Sequence, residues 1–337
     1  MKSFIRLIIS SLTIFVLMSC EKVFEYPDDN PVDPTLVNFD LNIKLAIPSD
    51  LEFELYDEVN LKSSGTAVYF LRTLIEIYDD GNSTTPIIRD TLYSYYDLIG
   101  ELDLHYTTTL NAKCYDVAIW SDIAESNPSG DMYYYTASNL TQIKYTEPYV
   151  GNTDLKNAFA TNIEIDLTGY RDEWNAVYEY VAGLERPQAR FEIITTDLEQ
   201  FLARHGDGGD ESADIDDFTV EVLYDGYMPY GFNALTDKPN EARQSISYMT
   251  TMEDLNDGTA RLAFDLVFVN HTESGVNVSL NIYDKSGEIV AQAGSIAIPI
   301  YRNMNTIVID EYLTSDYAPG IGIDPSFDGE INVVIPD

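Results

Sequence analysis

Apolar and polar residues alternate strictly from residue 37. Val37, Phe39, Leu41, Ile43, Leu45 and Ile47 take every second position, and Asn38, Asp40, Asn42 and Lys44 fill the gaps. A period of two places the two sets on opposite faces of a pleated strand, so this stretch predicts a strand with one buried and one wet face. Further strands are predicted at 67–78, 101–110 and 112–120. In the last, Tyr115, Val117 and Ile119 face one way and Cys114, Ala118 and Trp120 the other, the pattern of a central strand covered on both sides. Asp79-Asp80-Gly81-Asn82 is a turn. From 121 to 152 the alternation lapses. This Tyr-rich stretch, with breakers at Pro128, Gly130, Pro148 and Gly151, reads as a long loop region. Thr153 to Phe159 reads as a short helix capped by Asn152 or Thr153, followed by strands at 161–167 and 174–183.

Gly183-Leu184-Glu185-Arg186-Pro187 marks a domain boundary. A strand restarts at Arg190 to Thr195. Thr196-Asp197-Leu198-Glu199 then has the form of a capping box opening a helix over 197–205, with Leu198, Phe201 and Leu202 on one face and Gly206 as the stop. After the acidic stretch 207–217, alternation returns at Phe218-Val220-Val222-Tyr224, Leu262-Phe264-Leu266-Phe268 and Val276-Val278-Leu280-Ile282. Asn256-Asp257-Gly258 and Asp284-Lys285-Ser286-Gly287 are turns, the latter leading into Glu288 to Ala291. Ile296-Ile298-Ile300 and Thr306 to Ile309 continue the series. In the last residues, Ile331, Val333 and Ile335 alternate again, so 329–337 is expected to be a strand that closes its own sheet or is lent to a neighbour's open edge. Pro336 cannot donate a ladder hydrogen bond, so pairing should fade there. Many short strands with turns at near-regular spacing argue for an all-β fold with one or two short helices: two tandem β-sandwich domains, 37–183 and 184–337. There is no helical repeat, heptad or low-complexity tract.

The start of the chain changes this picture. Lys2 and Arg6 precede an apolar run from Leu7 to Met18, and Leu17-Met18-Ser19-Cys20 closes it. Basic start, short apolar core and small residues before Cys read as a bacterial lipoprotein signal over 1–19. The run is shorter than the roughly 20 residues that span a bilayer. Cys20 would then be acylated and would hold the mature chain on outer-membrane lipid, with the protein exposed at the cell surface. Residues 20–36, with Pro27, Pro31, Pro34 and several Asp, read as an acidic tether.

Charge and cysteine content then exclude several roles. The chain has 57 acidic and 19 basic residues; without Lys2 and Arg6 the balance is 17 against 57, or −40. A nucleic-acid partner requires clustered Lys and Arg to neutralise phosphate, so it is excluded. With Cys20 used by the lipobox, Cys114 has no partner for a disulfide and reads as a buried thiol. No nucleophile elbow, zinc-protease helix, phosphate-cradling loop or EF-hand spacing is present. No cofactor or metal is expected. Arg204-His205-Gly206 superficially matches a phosphatase motif but falls at a helix end, where a basic residue and Gly are structural. Asp207, Asp210, Glu211, Asp214, Asp216 and Asp217 offer carboxylates for calcium, in no known loop spacing, and read first as a solvated loop. Tyrosine is abundant, 25 residues against two Trp. Sheets favour Tyr, which accounts for most of them. Tyr133, Tyr134 and Tyr135, in the loop region, are the candidate contact for a ligand or partner.

Tyr115-Asp116-Val117-Ala118-Ile119-Trp120-Ser121-Asp122, Leu184-Glu185-Arg186-Pro187 with Ala189-Arg190-Phe191-Glu192, Gly226-Tyr227-Met228-Pro229 with Phe232-Asn233, and Phe327-Asp328-Gly329-Glu330-Ile331 together resemble the fimbrillin-like lipoproteins of gut and oral anaerobes. The resemblance implies two transthyretin-like sandwiches, lipid anchoring, and assembly with other pilin-like subunits by strand donation or exchange. Polymerising members are cut after an Arg near the first strand. Here no Arg lies between Cys20 and Arg72, and Arg72 sits inside a predicted core strand. That points away from a shaft subunit, toward an anchor, tip or accessory protein with a structural or adhesive role and no enzymatic activity. The alternative is a glycan-binding surface lipoprotein of a polysaccharide-uptake system using its Tyr-lined loops. A sandwich hydrolase ranks third.

Overall fold

The alternating stretches pair into sheets whose buried faces are their apolar sets. In the computed structural model, which describes residues 35–46, 69–95, 101–125, 131–206, 213–270 and 273–314, β1 (Leu36–Ala46) is the middle strand of a three-stranded sheet. It runs antiparallel to β4 (Glu101–Asn111) and parallel to β9 (Val177–Gly183). The sheet against it is built from β3 (Ile88–Tyr95), β2 (Tyr69–Asp79), β5 (Cys114–Glu125) and β8 (Ala158–Asp166), in that order. Val37, Phe39, Leu41 and Ile43 of β1 meet Ile75 and Ile77 of β2 and Val117 and Ile119 of β5 in one core. Burial at this scale, about 25 cal/mol per Å² of apolar surface, is what holds the two sheets face to face.

A second sandwich repeats the first. β10 (Gln188–Thr195) lies antiparallel to β16 (Ala260–Phe268) and parallel to β19 (Asn305–Asp310). The short β15 (Glu253–Asp254) extends that sheet. Facing it are β14 (Ser247–Thr251), β11 (Thr219–Tyr224), β17 (Glu273–Tyr283) and β18 (Ile289–Tyr301), in that order. Strand for strand, β10, β11, β14, β16, β17, β18 and β19 have the connectivity of β1, β2, β3, β4, β5, β8 and β9.

Among the described residues each sandwich carries an insertion of two strands, and the two insertions pair. The first supplies β6 (Tyr134–Tyr135) and β7 (Ile143–Tyr145), between β5 and β8; the second supplies β12 (Met228–Asn233) and β13 (Lys238–Arg243), between β11 and β14. Together they make one sheet, ordered β13-β12-β7-β6, joined across the sandwiches by Gly231↔Lys144 and Phe232↔Ile143. A Cβ at Gly231 would stand 3.0 Å from Glu241 Cβ and 3.2 Å from Ile143 O, so only Gly lets three strands close here.

Several expectations are corrected. Residues 121–152 are not one loop: β5 runs on to Glu125, and β6 and β7 follow. The short helix at 153–159 is a single 3-10 turn, Asp154–Lys156, capped by Thr153, because β8 starts at Ala158. β3, β12, β13 and β14 were not marked by alternation. The helix, α1 (Leu198–His205), buries Leu198 and Phe201, but no capping box forms: Asp197 stands at the N-cap without a side-chain cap bond. Its carboxylate instead accepts from the Thr195 hydroxyl and from the Leu313 and Thr314 amides, at 3.1 and 2.6 Å. Cys114 is half-buried rather than buried, its thiol 3.5 Å from Asp166 Oδ1 at the start of β5.

Candidate functional site

Cys20 and the 1–19 signal lie outside the described residues, as do Ile331, Val333 and Ile335. Of the acidic stretch, Asp207, Asp210 and Glu211 also lie outside them. Asp214 caps the 3-10 turn Ile215–Asp217, accepting from Asp216 N at 3.1 Å, and among the described residues no cluster of metal-ligating side chains forms. His205 closes α1, with Nδ1 2.9 Å from Phe201 O and its ring against Phe201 and Phe218. Arg204 reaches the Thr314 carbonyl, so this pair is structural.

The three tyrosines do not stand together. Tyr134 is 1% exposed, Tyr133 is half-buried and Tyr135 is open to solvent. The cause is the period of β6, which sends neighbouring side chains to opposite faces. Tyr134 packs edge-on against Trp120 at 5.1 Å, donates to Lys156 O and accepts from Gln188 Nε2. It is a core residue, and a ligand has no access to its ring.

What the insertions build instead is a clasp between the sandwiches. Trp120, on the outer face of β5, meets Phe232 from the second insertion at 6.1 Å and Phe268 of β16 at 6.3 Å. Tyr145 stacks on Phe268 at 4.7 Å and donates to Leu266 O at 3.0 Å. Past the cis bond Glu147-Pro148 the chain lies along β16. There Asn152 N donates to Phe264 O, and Phe264 N donates to Asn152 Oδ1, both at 3.0 Å. Gly151 permits this approach, since a Cβ would press on the Tyr248 ring, 2.6 Å from Cε2.

At the centre of the clasp sits a charged pair. Lys156 Nζ, from the first insertion, donates to Asp265 Oδ1 of β16, and each side chain is 1% exposed. Lys156 Nζ also donates to Tyr149 OH at 2.8 Å and Val150 O at 3.1 Å, over the Tyr149 and Tyr145 rings. Asp265 accepts from Tyr149 OH at 2.6 Å, Tyr224 OH at 2.7 Å and Leu266 N at 2.7 Å. All three ammonium protons and both carboxylate oxygens are therefore satisfied, which a buried pair requires. Burial, ahead of the Asp265 charge, holds the Tyr149 and Tyr224 phenols far above their ordinary range, and burial lowers Lys156. Chemically this is an adhesive joint, with every group committed to the protein itself. The composition shows the Tyr excess but not this pairing, because Lys156 and Asp265 are 109 positions apart.

A model described as "Family of unknown function (DUF6562)" matches residues 32–336. The chain belongs to that family. The match takes in both sandwiches and both insertions. No curated protein matches the sequence. Among solved structures it is similar to the fimbrial anchor protein Mfa2 from Porphyromonas gingivalis, at 10% identity and TM-score 0.43, over 81% of this chain and 90% of that one. It is also similar to a candidate adhesin from Bacteroides ovatus, at 14% identity and TM-score 0.39, over 77% and 78%. A third is the tip fimbrial protein Mfa3 from Porphyromonas gingivalis, at 11% identity and TM-score 0.37, over 81% and 94%.

Arg72, the residue raised above as a departure from the processed pattern, lies in β2. It is buried in a two-pronged bond to Asp122, at 2.8 and 2.6 Å, and reaches Asp131 at 2.8 Å. Burial alone would lower its pKa; the bonds to the two carboxylates reverse that and raise it. Cleavage there would require β2 to leave its sheet.

Proposed function

We propose that this DUF6562 chain is a non-enzymatic, fimbrillin-like surface lipoprotein, anchored through acylated Cys20, with a structural or adhesive role. The observation that carries the reading is the clasp. Two sandwiches are welded by a shared sheet and by the buried Lys156–Asp265 joint. A rigid two-sandwich body behind an acidic tether suits a component that must transmit load between the membrane and whatever it holds. The lipobox supports the anchor: Cys20 would carry acyl chains, and stable anchoring requires more than one. The buried position of Arg72 supports an anchor, tip or accessory subunit over a processed shaft subunit.

The test has two parts. Cys20→Ala is expected to move the protein from the membrane fraction to the soluble one; unchanged partitioning refutes the anchor. Deleting the gene is expected to reduce surface fimbriae seen by electron microscopy or attachment of cells to host or bacterial surfaces. A deletion strain equal to the parent in both refutes the structural or adhesive role.

A further inference from the structure

The outer face of the β14-β11-β17-β18 sheet offers a second, independent feature. Val220, Val222, Leu280 and Ile282 point into the core. By the period of two, Thr219, Glu221, Asn281 and Tyr283 therefore point outward. Register arranges them in two rows across the strands: Thr251–Thr219–Tyr283–Ile289 and Met249–Glu221–Asn281–Gln292. The rows are tied together. Glu221 Oε2 accepts from Tyr283 OH at 2.7 Å and Asn281 Nδ2 at 2.9 Å, and Asn281 Oδ1 accepts from Gln292 Nε2 at 2.7 Å. These bonds fix the Tyr283 ring before any ligand arrives, which lowers the ordering cost of binding.

A groove of about 510 Å³ opens at one end of these rows, a volume in the range of small-ligand sites. Thr219, Met249 and Tyr283 form its floor; Asp216 and Asp217 come from the 3-10 turn and Lys285 from the β17–β18 turn. Lys285 Nζ is paired with Asp217, so the cation lining the groove is already neutralised and an anionic ligand finds no counter-charge. What remains is a lining that combines Met249, 57% exposed on β14, with the fixed phenol ring of Tyr283 across β11, together with carboxylate and hydroxyl acceptors. That combination suits a molecule with an apolar C–H face and an edge of hydroxyl donors. We propose that this groove binds a neutral saccharide. The inference rests on the adhesive reading above and names its ligand class.

Native gels containing galactomannan, xyloglucan or laminarin test it with the full chain. Wild type is expected to be retarded by at least one of the three. Tyr283→Ala is expected to lose about tenfold or more in affinity, as for a central aromatic contact. Tyr283→Phe should keep most of the binding, because the ring remains. Trp174→Ala, on the first sandwich and 70% exposed, should bind as wild type. Equal melting temperatures for the variants separate lost binding from lost fold. The proposal is overturned if wild type is not retarded by any of the three, if Tyr283→Ala is retarded as wild type, or if lysine oligomers displace the saccharide, which marks a basic-peptide site. Cell attachment separates the two readings: attachment lost on gene deletion but kept by Tyr283→Ala cells removes the groove alone. Attachment and surface assembly unchanged on deletion remove the adhesive role itself.

Discussion

Replacing Asp265 by Asn keeps the shape of the clasp and deletes its charge. The carboxylate serves four donors: the Lys156 ammonium, the Tyr149 and Tyr224 hydroxyls and the Leu266 amide. An Asn presents one oxygen and one NH₂, so a donor must face a donor, and the ammonium is left without its counter-charge. Breaking a buried pair in this way costs about 3–5 kcal/mol. The cost has a ceiling. Lys156 can escape by releasing its proton, which at pH 7 costs about 1.4 kcal/mol for each unit below an ordinary lysine value of about 10.5, or roughly 5 kcal/mol. At pH 9 the same escape costs about 2 kcal/mol. Once Lys156 is neutral in the folded variant, the unfolded chain binds one proton more, so stability rises with pH, by about 1.4 kcal/mol per unit up to the ordinary lysine range.

Urea melts at pH 7 and pH 9, followed by fluorescence of the buried Trp120, would read this. The double variant Lys156→Met/Asp265→Asn serves as the reference, since it lacks the titrating amine. Asp265→Asn is expected to gain on that reference as pH rises. Lys156→Met alone should cost less than Asp265→Asn, about 1–3 kcal/mol, because three donors still hold the carboxylate. If the Asp265→Asn deficit is the same at both pH values, or if Lys156→Met is the more damaging change, Asp265 is not the hub of the joint.

Three further outcomes follow from other parts of the fold. Gly151→Ala forces a methyl onto the Tyr248 ring and should cost about 1–3 kcal/mol by overpacking; an unchanged melting temperature refutes the close approach. Glu241 of β13 is held below its ordinary value of 4.5 by the hydrogen bond from Lys144 of β7, then by that from Arg243. Because the folded pKa is depressed, this link between the insertions is at full strength above about pH 4.5 and is lost as pH falls through the lower folded value. Glu241→Gln should therefore flatten the acid limb of a stability–pH curve, and an identical limb argues against the link. Asp197→Ala strips a buried acceptor from the Leu313 and Thr314 amides and should cost about 1–3 kcal/mol, whereas Thr196→Ala, at an exposed position without a cap bond, should cost under about 0.5 kcal/mol; chemical melts that rank them the other way refute the assignment.

The strands legible in the sequence are those with one core face and one wet face. β1, β11 and β17 alternate cleanly because each has neighbours that bury only one set of side chains. β5 was legible too, as a strand apolar on both sides, though its second face meets the other sandwich rather than a sheet of its own. The clasp was hidden for physical reasons. β13 reads Lys-Pro-Asn-Glu-Ala-Arg and has no fully buried position. β12 contains Pro229 and Gly231, which look like breakers until β7 supplies the third strand. Tyr134 looked like loop surface because its burial depends on Trp120 and Phe268, which periodicity cannot bring near it. Nor did the chain show the repeat of the two sandwiches, since strand order is conferred by long-range pairing, not by any local pattern.

The position of the insertions explains why the two sandwiches form one body. Leu74, Tyr78, Ala118 and Trp120 project from the β2–β5 side of the first sandwich, away from its own core, and are buried in the core of the second. A sandwich ending at residue 183 would carry that apolar face into water, and about 25 cal/mol per Å² would oppose it. The second sandwich alone would leave Phe232 and Phe268 without Trp120, and Asp265 buried without Lys156. Each half therefore completes the other, and a hinge at 184–187 would require breaking the shared sheet, the aromatic stack and the ion pair together. At this joint any other arrangement of the halves would strand the charge of Lys156 or of Asp265, so the pair disfavours alternatives even where it adds little stability over apolar packing. A single allowed geometry between the two halves is what the joint contributes.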